Sequence, residues 1–83
     1  KLDDAIAMAR DTVARAERTL SEERAEPALF RVGLAHSLLK HGERQAAVEQ
    51  YDLAHARLAK VYGEDHPKVQ RILEMRAEAL RGP

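Results

Sequence analysis

The sequence predicts an all-α fold of antiparallel helical hairpins, about four helices in a single domain covering residues 1–83. Three observations carry this. Fifteen residues are Ala and 34% of the chain is charged, while Gly and Pro number only 4 and 3; such a mixture has high helix propensity. Apolar residues recur at steps of three and four, the spacing that lines one face of a helix. Alternation is absent and β-branched residues are few and scattered, so nothing reads as a strand.

The first helix is expected over about residues 2–23. Leu2, Ile6, Ala9, Val13, Ala16 and Leu20 form its apolar stripe, and Asp3 and Asp4 suit the positive end of the helix dipole. Ser21 to Pro27 make the first break, because Pro27 fits a first helical turn and disfavours helix before it. The second helix is expected over 28–41, with Phe30, Leu34, Ala35 and Leu38 on one face. Gly42 stops it, after Lys40 and His41 in the last turn. The third is expected over 43–62, with Ala47, Tyr51, Ala54, Leu58 and Val61 in line and Gly63 as its stop. The fourth is expected over 67–80. Pro67 suits its first position, Asp65 or His66 its cap, and Val69, Ile72, Leu73 and Leu80 supply its apolar residues. The short connections imply antiparallel neighbours.

Composition removes several classes of function. Fourteen Lys and Arg balance fourteen Asp and Glu. Non-specific phosphate binding needs a net basic surface, so neither nucleic acid nor membrane is an expected partner. The chain has no Cys, which excludes disulfides, thiolate zinc sites and Cys nucleophiles. No apolar run approaches the roughly 18 residues a membrane span needs, and no signal-peptide pattern is present; cytoplasmic residence is the expectation. Lys1 in place of Met suggests an excised or processed fragment, and the Ala and Arg richness fits a bacterial source. The core is small for a domain of this size, so help from a partner copy, a ligand or neighbouring chain is expected.

Residues able to carry chemistry are present without the spacing it requires. His36 and His41 diverge by about 140° on a helix, and His55 stands alone. No His-x-x-x-His or Glu-x-x-His run offers a metal site. The acid pairs Asp3/Asp4, Glu22/Glu23 and Glu64/Asp65 lie in polar helix ends and loops, unlike the buried carboxylates of acid–base catalysis. Ser21 and Ser37 have no positioned base, and there is no Gly-rich phosphate loop. No metal, cofactor or catalytic residue is therefore expected, and His66 reads as a loop residue that fixes a helix start.

A shift of 42 residues partly matches the chain to itself. Ala5/Ala47, Ala14/Ala56, Arg15/Arg57, Glu22/Glu64, Ala35/Ala77 and Leu38/Leu80 are identical, and Ile6/Val48 and Arg18/Lys60 are conservative. Helix one corresponds to helix three, and helix two to helix four. The stretch Leu34 to Pro67 resembles a tetratricopeptide repeat of the 42-residue kind found in kinesin light chains and many bacterial regulators. Leu34, Ala35, Leu38, Gly42, Ala47, Tyr51 and Ala54 stand at that repeat's packing positions. Tyr62-Gly63-Glu64-Asp65-His66-Pro67 is similar to its closing loop. The resemblance implies an α-solenoid: one full repeat with a half-repeat on each side. Where light-chain repeats place backbone-clamping Asn pairs, this chain has Val32-Gly33 and Glu74-Met75. Arg76 stands where Leu34 stands one repeat earlier.

The resemblance also implies a function and a surface. Arrays of this kind are non-enzymatic protein-interaction modules, with the first helix of each hairpin facing a groove. In this chain Leu29, Val32, His36, Leu39 and Lys40, followed by Arg71, Glu74 and Glu78, would face it. The expected ligand is an apolar peptide or helix of a partner protein. The alternative is a structural or homo-oligomerising segment of a larger regulator with no ligand of its own. An uncapped array leaves Ile72, Leu73, Ala77 and Leu80 partly uncovered at one end, and part of the Ile6 and Val13 helix at the other. A homodimer through the end helices is the expected consequence. A helical enzyme fragment using His36 or His66 is the third reading, with no constellation to support it.

Overall fold

A computed structural model of the chain describes residues 2–19 and 24–81. They form four helices and no strand: α1 (Leu2–Thr19), α2 (Glu26–Lys40), α3 (Arg44–Tyr62) and α4 (Pro67–Arg81). Each helix packs on its sequence neighbours, α1 on α2, α2 on α3 and α3 on α4. The slab so formed measures 33 × 30 × 14 Å.

The chemistry of the chain sets the helix ends. α1 is described to Thr19; residues 20–23, including the expected Leu20, lie outside the described residues. α2 begins at Glu26, two residues before the expected start. A Pro in the first turn meets no helical carbonyl four residues back, so Glu26 joins the helix despite preceding Pro27. Arg24 closes on Glu26 with hydrogen bonds of 3.2 and 2.8 Å, and that bonding holds the Glu26 carboxyl at about 2, against an ordinary 4.5. At the other end Glu43 N–H donates to the Leu38 carbonyl at 2.8 Å and Gly42 N–H to Leu39 at 3.0 Å. This paired closure needs a left-handed residue, and Gly42 supplies it with φ +83°. α3 starts at Arg44, one residue later than expected, and α4 ends one residue later, at Arg81.

The loop before α4 is built around His66. Its carbonyl accepts Val69 and Gln70 N–H at 3.0 Å each, and its Nδ1 accepts Lys68 N–H at 3.1 Å. The imidazole stacks on Tyr62 at 4.4 Å, and Lys68 Nζ lies 5.3 Å from the Tyr62 ring centre. His66 is therefore the helix-starting residue, and Asp65 is not.

One core runs through all four helices: Val13 from α1; Ala28, Leu34, Ala35 and Leu38 from α2; Ala47, Val48, Tyr51, Ala54 and Leu58 from α3; Val69, Ile72 and Ala79 from α4. Small side chains at 35, 47 and 54 let backbones approach, and Leu34, Leu38 and Tyr51 fill the space around them. Two expectations fail here. Phe30 is exposed, because Ala28 takes the core position at the start of α2. Ile72 is buried, because α4 lays Val69, Ile72 and Ala79 against α3. Leu73, Ala77 and Leu80 face away from that contact and stay exposed.

A polar tie joins α1, α2 and α3. Arg31 on α2 donates to Glu17 on α1 through Nε at 3.0 Å and Nη2 at 2.7 Å, and through Nη1 to Gln50 Oε1 on α3 at 2.6 Å. Gln50 is the buried polar residue of the described core. On the far side Arg76 Nε on α4 bonds Asp52 Oδ1 on α3 at 2.5 Å.

Candidate interaction site

α2 and α4 both pack on α3, so a furrow runs between them with α3 as its floor. It holds two adjoining clefts. One, of about 360 Å³, is lined by Leu29 and Val32 of α2, Leu58 of α3, and Pro67, Lys68, Arg71, Ile72 and Met75 of α4. The other, of about 670 Å³, is lined by Leu39, Gly42, Arg44, Tyr51, Met75, Glu78 and Ala79. Met75 borders both and makes the apolar strip continuous from Leu29 to Leu39.

The eight expected groove residues divide. Leu29, Val32 and Arg71 meet in the first cleft, and Leu39 and Glu78 in the second. His36, Lys40 and Glu74 line neither. His36 sets its ring edge-on to Tyr51, with centroids 6.1 Å apart. Glu74 is engaged by Arg71 at 3.2 Å, and Lys40 is exposed at the end of α2. Met75, Lys68 and Arg44 are among the lining residues that were not expected there. Met75 had a signal: it lies four residues after Arg71 and three before Glu78, on the same helix stripe.

The furrow is apolar at its base and charged at its rim. Lys68 and Arg71 border the first cleft; Arg44 and Glu78 border the second. The Tyr51 phenol on the floor is pushed up from 10.0, first by burial and then by the Glu78 carboxylate, with Arg71 opposing. It stays a neutral hydroxyl at physiological pH. No group of three or more His, Asp or Glu among the described residues is placed to hold a metal ion. No helix among them is long and apolar enough to cross a membrane. What the furrow offers is apolar contact with charge at the margins.

No protein-family model, curated protein or solved structure matches the chain.

Proposed function

We propose that this chain is a non-enzymatic protein-interaction module of tetratricopeptide-repeat type, resident in the cytoplasm, that takes an apolar peptide or helix of a partner protein into the furrow between α2 and α4. The observation that carries the reading is the continuous strip Leu29, Val32, Met75 and Leu39, accessible along two adjoining clefts. An apolar strip rimmed by charged residues is the usual form of a segment-binding surface. Lys68 at the rim of the first cleft favours a ligand with an acidic residue beside its apolar anchors, because opposite charge at a rim speeds encounter and sets register, while Arg71 is already paired with Glu74.

The test is selection from a displayed library of random twelve-residue peptides, followed by calorimetric titration of the enriched peptides. Binding lost on Val32→Asp and on Met75→Asp, with helicity unchanged by circular dichroism and binding kept on Leu80→Asp, supports the assignment. A library that yields no binder, or binders indifferent to both furrow substitutions, refutes it.

A further inference from the structure

Tyr51 is the largest side chain of the core, only 1% exposed, and it forms part of the floor of the second cleft. No hydrogen bond joins its hydroxyl to another described residue, and among the described residues no side-chain polar atom is both sealed off and unpaired. The ring is therefore buried and its hydroxyl is the end that opens on the cleft. Burial, and after it the Glu78 carboxylate, keeps the phenol protonated, with Arg71 opposing, so the group meets a ligand as an O–H donor. An apolar segment laid over the cleft would strand that donor, whereas a segment carrying an acceptor there would satisfy it.

The surroundings select the acceptor. Arg44 and Glu78 border the same cleft with opposite charges, so a charged group gains from one what it loses to the other. A carboxylate seated on the Tyr51 hydroxyl would also face Glu78, whose charge already acts on that phenol. An uncharged amide suits both neighbours, because it carries an acceptor and a donor together.

We infer that Tyr51 sets the specificity of the furrow: its hydroxyl donates to the carbonyl oxygen of a neutral amide on the bound segment, and the Glu78 carboxylate accepts that amide's N–H. The inference rests on the furrow being a segment-binding site and adds the chemistry of the segment. Lys68, bordering the first cleft, and Glu78 stand about 15 Å apart along α4. An acidic residue near Lys68 and the amide at Tyr51 would then lie about ten residues apart in a helical ligand, or about four to five in an extended one.

The test takes peptides enriched from the twelve-residue library and titrates them calorimetrically against wild type and Tyr51→Phe, which keeps the ring and its packing. Loss of the hydroxyl is expected to weaken binding about three- to tenfold, the worth of one neutral hydrogen bond. The weakening should vanish on peptides that lack the amide. Asn or Gln replaced by Leu reports a side-chain amide, and an ester in place of one peptide bond reports a main-chain one. On the wild-type chain the same peptide changes should weaken binding by a similar factor, a reading that needs no folded variant. Peptides lost on Val32→Asp but bound equally by wild type and Tyr51→Phe overturn this inference and leave the furrow standing. A weakening that persists unchanged on amide-free peptides also overturns it, since a packing role would do that. A library without binders, or with binders indifferent to Val32→Asp, overturns the furrow and this inference together.

Discussion

Replacing Arg31 by Met separates the tie across three helices from the apolar core around it. The guanidinium makes its bonds to Glu17 and Gln50 from a side chain only 16% exposed, and Glu17 is 32% exposed. Methionine keeps much of the stem's packing and removes the donors. Gln50 Oε1 then loses its donor in a buried setting, which costs about 1–3 kcal/mol. The Glu17 pair is partly screened by water and is worth about 1 kcal/mol or less. The sum is roughly 1–4 kcal/mol, and at about 4–8 °C per kcal/mol for a domain of this size Tm should fall by roughly 4–32 °C. Urea unfolding followed by far-ultraviolet circular dichroism measures the loss, and a cycle with Glu17→Met isolates the pair. Hydrogen exchange is expected to quicken first in α1, whose described packing is on α2. A loss under about 0.5 kcal/mol, the size of an ordinary surface substitution, would refute the reasoning. So would zero coupling between Arg31 and Glu17.

Three further outcomes are expected. Ala47→Leu forces extra methylenes into a position with no exposure and should cost about 1–3 kcal/mol in urea unfolding. His66→Ala removes the acceptor for Lys68 N–H and the stack on Tyr62; a loss of about 0.5–2 kcal/mol is expected, with faster exchange in the first turn of α4. Tyr51 keeps its proton in the folded chain to higher pH than the unfolded chain does, so its contribution is fully present below pH 10.0 and is lost as pH climbs through the raised folded value. Unfolding free energies measured across that range should decline in the wild type and decline less in Tyr51→Phe.

The helices were legible because each carries its own punctuation. Gly42 and Gly63 end α2 and α3, and Pro27 and Pro67 fall in the first turns of α2 and α4. The hairpin core was legible because small and large residues alternate at helical spacing, from Leu34 and Ala35 through Ala47 to Tyr51 and Ala54. Which face α4 turns to α3 was not. Its apolar residues cover more than one stripe, and only the position of α3 decides that Ile72 goes inward and Leu80 outward. The tie of Arg31 to Glu17 and Gln50 was also hidden, since charged and amide side chains at separations of 14 and 19 residues leave no periodic trace. The furrow had no periodic signal of its own. Only the resemblance to a tetratricopeptide repeat names Leu29, Val32 and Arg71 together, and Met75 borders both clefts because α2 and α4 share α3 as a floor.

The chain holds 2 Met, and each reports one surface: Met75 in the furrow and Met8 on the outer face of α1. Carbon-13 methyl labelling of methionine gives one resonance for each. Titrating in a library-selected peptide at a protein concentration low enough to keep the chain monomeric should move the Met75 signal and leave Met8 in place. Movement of Met8 alone, or of neither signal at saturating peptide, contradicts a segment-binding furrow between α2 and α4.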